Sequence, residues 1–574
     1  MSTHLSLHDL LWKADQFDPN RTKNSNTSNC GGFKMGIKNK IGKAAVWVTA
    51  VACLFVVSLS ARAAQYDAEY YVLKKQFGEQ WLADDKKIQS KLAELEKKFG
   101  KKPNIINILV DDVGYSELGV YGGGKLRGAP TPNLDKMAHQ GMKFLQYYSE
   151  VACTPTRITL NTGRHNVRVG VNQVDFPGTR GMGLPQDEVT IAELLSKAGY
   201  HTAMFGKWHV GFGDQYAPTE HGFDEAEWSE GNPAVWIYGL KGEDKVGHVN
   251  SRALNWAPKE PQTYYDEGGV LRAKKGEKPE MVYPYSIEKY DTYDTEVTDL
   301  AIDYIKRHAD SDKPFFLYVG SKGNHFYGAN PDFMDTPAQT NTASQMTETD
   351  YNLGRILKTV QDMGIAENTL VVWSSDNGPM YGFHPHGGYS MYDKGEKGST
   401  WEGGVRVPAI VWWPGVIEPG QDPLDIVHVA DLYTTFASIA GVKDEIPNDR
   451  VVDGVDQTAL LLLGEDHGRR DYVFLYNKGK LESVRKDFFK MRLEGGLIFP
   501  LQFNLMHDPA ERFPREINYT GYTYGMTRLM EQHNKLIEKF PHTVQTPYQR
   551  EYDYPSRFNP TESLKYQTSK QVDW

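Results

Sequence analysis

Apolar residues fall along this chain in short unbroken runs, and between the runs they recur every three or four positions. The run 104–110, NIINILV, predicts a strand buried on both faces, and 202–205, 315–319 and 370–373 read the same way. Between them, 191–198, 297–308 and 346–363 carry helical spacing. Strands alternating with helices predict an α/β body whose mostly parallel sheet is covered on both faces. Ahead of it, 65–98 is polar and helix-prone, with Ile88, Leu92 and Leu95 in register for one face. Beyond about residue 441 the texture changes. Strands at 472–476 and 488–493, joined by charged turns, precede a helix at 526–540 and predict a smaller α+β domain. A Pro/Tyr/Arg-rich tail from Pro541 is expected to run over the surface.

The N-terminal pattern predicts a leader. A basic stretch, 34–43, is followed by the apolar stretch 44–60 and by Ala61-Arg62-Ala63, the order of a secretory signal with its small-residue cleavage site. The apolar stretch is also long enough for an uncleaved anchor to be the rival reading. The expected division is therefore leader 1–63, helical extension 64–102, catalytic domain 103–445, and smaller C-terminal domain with tail 446–574. Residues 1–63 hold 8 Lys/Arg and 3 Asp/Glu; without them, 56 basic residues face 71 acidic ones, a net charge of −15. Such a body argues against nucleic acid as a partner, and without an anchor none of it calls for a membrane. Of three cysteines, only Cys153 lies beyond the leader, which excludes an internal disulfide in the mature chain. The expectation is a periplasmic or secreted protein that folds on its core alone.

Two predicted strands end in oxygen donors: 104–110 runs into Asp111-Asp112, and 370–373 is followed closely by Asp376-Asn377-Gly378. In open α/β sheets ligands bind beyond the carboxyl ends of strands. Three carboxylates and an amide suit Ca²⁺ or Mg²⁺, not Zn²⁺. Taken singly, each pair also reads as a plain turn or helix cap. The stretch 153–164, CTPTRITLNTGR, predicts a helix start, with Thr154 as cap and Pro155 in the first turn. That would set Cys153 at a helix N-terminus, where anions are attracted, with Arg157 one turn further on.

These residues resemble the type I, formylglycine-dependent sulfatases. Cys153-x-Pro155-x-Arg157, followed by Leu160, Thr162, Gly163 and Arg164, is similar to their maturation motif, although Thr156 stands where Ser or Ala is frequent. Asp111-Asp112-Val-Gly-Tyr, Gly206-Lys-Trp-His-Val-Gly211, Asp376-Asn-Gly378 and the loop 395–404, GEKGSTWEGG, resemble four further family motifs in family order. The resemblance spans 103 to about 442. It implies an alkaline phosphatase-like fold: a mixed, mostly parallel sheet sandwiched by helices, with a smaller C-terminal antiparallel sheet.

The implied activity is arylsulfatase-like hydrolysis of a sulfate ester, aryl or carbohydrate, to an alcohol or phenol and sulfate. The implied partners are that ester and a formylglycine-generating maturation enzyme. Cys153 would be oxidised to formylglycine, whose hydrate offers one hydroxyl to attack sulfur and a second to expel sulfate afterwards. By the same resemblance Asp111, Asp112, Asp376 and Asn377 would hold one divalent cation, Ca²⁺ in first place and Mg²⁺ as the alternative. Arg157 and Lys207 would stabilise charge, and His209 would be the base that releases sulfate. His325 and Lys397 would bind the ester and protonate the departing oxygen, with Lys394 competing by position for the place of Lys397. His384, His386 and the aromatic loop with Trp236, Tyr238, Trp256, Tyr264 and Tyr265 are candidate substrate contacts. A phosphonate monoester or phosphodiester hydrolase of the same superfamily, or an inactive sulfatase-like binding protein, are the alternatives.

Overall fold

The computed structural model describes residues 64–174, 183–233, 269–284, 287–325, 330–380, 388–390, 392–493, 500–514 and 520–545, all within the unit Ala63–Trp574. The leader, His384, His386 and the aromatic loop lie outside the described residues. At the centre is a nine-stranded sheet in the order Met142–Lys143, Ala409–Trp412, Thr369–Ser375, Asn104–Val110, Phe315–Gly320, His201–Lys207, Glu225–Ser229, Gly269–Lys274 and Glu280–Pro284. The middle five strands are mutually parallel, and the outer ones are antiparallel.

Period-two alternation sorts the central side chains onto two faces, and each face has its own core. Ile105, Leu109, Met204, Phe316, Leu370 and Val372 share one core with the helices Cys153–Thr162, Ile191–Lys197 and Asp431–Ile439. Ile106, Ile108, Val110, Leu317, Val371 and Trp373 share the other with Pro132–Gln140, Ile287–His308 and Asn341–Asp362. Continuous apolar runs therefore form the middle strands, because both faces are dry.

The helix Ala68–Phe99 starts at an Asp67 cap and stops at Gly100, whose φ of 72° ends it in the left-handed region. It buries Leu73 and Trp81 against the four-stranded antiparallel sheet Tyr472–Asn477, Lys480–Lys486, Phe489–Arg492 and Leu501–Asn504, together with Leu529 of the helix Thr520–Lys539. The start of the tail pairs inward, with the Thr543 amide donating to the Arg168 carbonyl at 3.0 Å. Among the described residues no helix is long and apolar enough to cross a membrane.

Candidate active site

Register assembles the first four donors. Val110 and Ser375 are partners on adjacent parallel strands, so Asp111-Asp112 and Asp376-Asn377 leave the sheet side by side. The Asp376 amide continues the ladder to the Val110 carbonyl at 2.9 Å. Asp112 then turns with φ 57°, a conformation Asp tolerates better than most residues. Its amide meets Asp376 Oδ1 at 3.3 Å, and the Val113 amide meets Ser375 Oγ at 2.9 Å.

The neighbouring strands deliver the cations and imidazoles. Lys207 ends the strand His201–Lys207 and donates to Asp111 Oδ2. Just before it, Gly206 has φ 102°, and a Cβ there would lie 2.0 Å from the Gly320 carbonyl oxygen, so the close approach of these two strands requires glycine. His209, φ 58°, continues alongside Glu230, its amide donating to the Glu230 carbonyl at 2.9 Å. His325 follows the strand Phe315–Gly320 and brings Nε2 to 4.0 Å from Asp111 and 3.9 Å from Asp112.

Cys153 comes from the helix Cys153–Thr162. Its cap is Ala152, without a side-chain hydrogen bond, so the expected Thr154 cap is corrected: the helix starts two residues earlier and Cys153 is its first residue. Pro155 remains in the first turn. Cys153 is fully buried, with Sγ 3.0 Å from Asp111 Oδ1 and 2.9 Å from Lys397 Nζ. Lys397 also reaches Asp112 Oδ1 at 2.6 Å, while Lys394 sits 3.5 Å over the Trp401 ring, which separates the two competing lysines. The loop carrying Lys397 is tied to the segment before the helix, Gly398 N to Val151 O at 2.7 Å. Arg157 points its guanidinium at Asp376 Oδ2, Nε at 3.1 Å and Nη2 at 2.8 Å, and gives Nη1 to the Lys207 carbonyl at 2.7 Å.

All ten predicted site residues lie in this region, and three more join them. Asn232 donates to Asp111 Oδ2 at 2.6 Å, the Tyr318 hydroxyl meets Arg157 Nη1 at 3.4 Å, and Ser375 Oγ also donates to the Asn377 carbonyl at 2.9 Å. Tyr318 and Ser375 sit near strand ends, which could have flagged them. Asn232 lies in a Gly-Asn-Pro turn and carries no sequence signal of its own.

Electrostatically the cluster is strained by burial. Desolvation first, then Asp111 beside it, pushes the Asp376 carboxyl up to about 7, and burial likewise raises Asp112. Burial would raise Asp111 too, but Lys207, His325 and Lys397 together hold it well below the usual carboxylate range. Burial pushes the Cys153 thiol well up, so the unmodified side chain is a poor thiolate. The donor atoms of Asp111, Asp112, Asp376 and Cys153 lie within 4.8 Å of one another. Among the described residues, buried Asp112 Oδ2 and Asn377 Oδ1 accept no hydrogen bond. An all-oxygen set with two such acceptors fits a hard divalent cation.

A second buried cluster, Glu150, His165 and His428, has metal-like donors but another explanation. His165 Nδ1 meets Glu150 Oε1 at 2.7 Å, and the Ala430 amide donates to His428 Nδ1 at 3.3 Å. The hydrogen of neutral His428 is therefore on Nε2, which cannot then ligate. This cluster braces the helix that carries Cys153.

Residues 103–442 match the sulfatase family. The N-acetylgalactosamine-6-sulfatase of Canis lupus familiaris is 32% identical over 480 residues, covering 76% of this chain and 86% of that protein. Arylsulfatase A of Homo sapiens is 34% identical over 386 residues, covering 66% and 71%. Among solved structures, the PsFucS1 sulfatase from Pseudoalteromonas sp. superposes with a TM-score of 0.74 at 34% identity, over 81% of this chain and 96% of that one. The chain thus belongs to the sulfatase family, within the alkaline phosphatase superfamily, and is a sulfuric ester hydrolase.

Proposed function

We propose that the enzyme hydrolyses a sulfate monoester at position 153 after a maturation enzyme has oxidised the Cys153 thiol to formylglycine. The observation that carries this reading is the setting of Cys153: first residue of a helix, with Lys397 Nζ at 2.9 Å and Asp111 at 3.0 Å from Sγ. The aldehyde hydrate supplies two hydroxyls on one carbon, one to attack sulfur and one to release sulfate. A divalent cation, Ca²⁺ before Mg²⁺, held by Asp111, Asp112, Asp376 and Asn377, would supply Lewis acidity toward the sulfate oxygens.

The chain's own residues divide the remaining work. Arg157 fixes Asp376 through two N–H groups and, with Lys207, offsets the carboxylate charge so that an anion can enter. Lys397, bound to Asp112, and His325, beside Asp111 and Asp112, bind the ester oxygen, and His325 gives its proton to the departing alcohol. Burial first, and then Lys397, depress the His325 pKa well below the ordinary imidazole value, so the ring takes up the proton it donates only as the anionic ester enters. His209 takes the proton whose loss frees sulfate.

The domain division at 103–445 and 446–574, export through the leader, and release as a periplasmic or secreted enzyme belong to the same proposal. Relatives named for N-acetylgalactosamine 6-sulfate and for aryl sulfates support both ester classes. A panel of 4-nitrophenyl sulfate, sulfated hexosamines and fucose sulfates, run beside a phosphodiester, tests the reading. Sulfate esters should turn over at least about a hundredfold faster than the diester. The reverse order would give the site to phosphoryl chemistry.

A further inference from the structure

The loop that carries His325 makes a sharp excursion from the end of the strand Phe315–Gly320, and one buried carboxylate beneath it takes its donors. Asp294 stands on the helix Ile287–His308, behind the sheet and outside the catalytic cluster. Its Oδ2 accepts from Ser321 Oγ at 2.7 Å and from the Gly323 amide at 3.2 Å; its Oδ1 accepts from the Lys322 amide at 2.8 Å. One side chain thus holds two backbone amides and a hydroxyl within three consecutive residues. The other side of the loop is bound to the metal strand: the Ser321 amide donates to the Leu109 carbonyl at 3.0 Å and the Asn324 amide to the Asp111 carbonyl at 3.0 Å. Tyr290, one turn before Asp294, donates its hydroxyl to the His325 carbonyl. Buried Lys322 turns away from the site, with Nζ 3.6 Å from Glu348 on the helix Asn341–Asp362 and 5.0 Å from the centre of the Tyr290 ring.

We infer that Asp294 is a positioning residue for leaving-group protonation: by clamping residues 321–323 against the helix, it holds the His325 imidazole over the ester oxygen. This deepens the proposed function and rests on the role of His325 given there. Gly323 has φ 51°, and a Cβ there would lie 2.4 Å from the Asp111 carbonyl oxygen, so the loop is wedged between Asp294 and the metal strand. A carboxylate accepts three hydrogen bonds here, from the loop and not from the catalytic cluster; its removal leaves two amides to find other acceptors and frees the loop to shift. General acid catalysis contributes roughly 10²–10⁴-fold, and a displacement on the order of 1 Å can cost about 10²-fold.

The test uses the mature enzyme with two substrates of unlike leaving groups, 4-nitrophenyl sulfate and a sugar 6-sulfate. A nitrophenolate departs without a proton, whereas a sugar alkoxide does not. Asp294→Ala should lower kcat on the sugar sulfate by about 10–100-fold more than on the aryl sulfate, with KM changed far less. In a His325→Ala background the same substitution should add nothing to the leaving-group difference, because the group it positions is gone. Asp294→Asn, which keeps one carbonyl acceptor, should fall between wild type and alanine. Hydrogen exchange should rise at the amides of 321–324 in Asp294→Ala and stay unchanged in the helix around it. Equal losses on both substrates, or losses that add fully to those of His325→Ala, would mean that Asp294 supports only the fold. Should His325→Ala itself show no dependence on the leaving group, the role of His325 falls and the positioning proposal with it. If Asp294→Ala does not fold, Ser321→Ala, which removes the hydroxyl donor alone, should show the same substrate split on a smaller scale; no split there overturns the proposal.

Discussion

At the scale of single residues the site is a balance of buried charges, and substitutions at Cys153 read it most directly. Serine at this position keeps one hydroxyl but cannot form a hydrate. Cys153→Ser should therefore release at most one equivalent of alcohol and then stall as a stable sulfate ester, while Cys153→Ala releases none. Rapid-quench measurement of alcohol per enzyme, beside mass spectrometry of the peptide spanning 153, checks both; sustained turnover by the serine variant would rule out the two-hydroxyl scheme. Asp376 is the second lever, because it both faces the proposed cation position and receives the guanidinium of Arg157. Asp376→Ala should abolish turnover and metal uptake together, and it leaves Arg157 a buried cation without its carboxylate. A stability loss of roughly 3–5 kcal/mol is expected on top, read by urea denaturation.

Among the elements, the helix Cys153–Thr162 is held at both ends by acids that do no chemistry. At its start, Glu150 accepts from Thr159 Oγ1 at 3.2 Å and from His165. At its end, Asp453 clamps the turn that follows Gly163. Its amide donates to the Gly163 carbonyl at 2.8 Å, and its carboxylate takes the His165 amide at 2.8 Å and Arg168 through Nε and Nη2, both at 2.7 Å. Burial would raise the Asp453 carboxyl, yet Arg168 and His165 hold it well below the usual range. Asp456 nearby is also buried, and Lys443 and Arg469 pull it down to about 2. Both are depressed on folding, so their contribution is complete above the unfolded carboxylate value of about 4 and drains as pH falls from there toward 2. Asp453→Asn should destabilise the protein by about 3 kcal/mol at pH 7 and flatten its acid denaturation curve below pH 4. Thermal unfolding across pH 2–7 measures both.

For the molecule as a whole, the helix Ala68–Phe99 is an integral part of the body. Leu73, Trp81 and Ile88 are buried, Lys486 binds Glu69 at 2.9 Å, and His533 binds the Asp67 cap at 2.5 Å. Deleting 64–100 would open the face of the C-terminal sheet, and such a chain should be insoluble or unfolded by circular dichroism. Cleavage after Ala63, by contrast, leaves this helix whole. N-terminal sequencing of the exported enzyme should begin at Ala64, and residues from 44–60 at the N-terminus would identify a retained anchor.

The central strands, the oxygen-bearing residues at their ends and the helix start near Cys153 were legible in the chain itself. Unbroken apolar runs arise only where both faces of a strand are dry, and the chemical motifs are contiguous in sequence. The strands Glu225–Ser229, Gly269–Lys274 and Glu280–Pro284 were not: Glu225 and Glu227 interrupt the first, Arg272 and Lys274 the second, and the third is exposed along most of its length. Helix starts were misjudged for a related reason: Ile287–His308 begins ten residues earlier than its apolar spacing predicts, since its first turns pack through Tyr290, Tyr293 and Asp294. Tertiary structure set Lys397, the lysine the sequence favoured over Lys394, against Cys153, and it alone decided that Arg157 turns to Asp376 and that Asn232 joins Asp111. Each of these is a contact between residues more than seventy positions apart, set by strand register and loop anchoring. Local sequence encodes which groups are present; the packing of distant elements encodes which of them face one another.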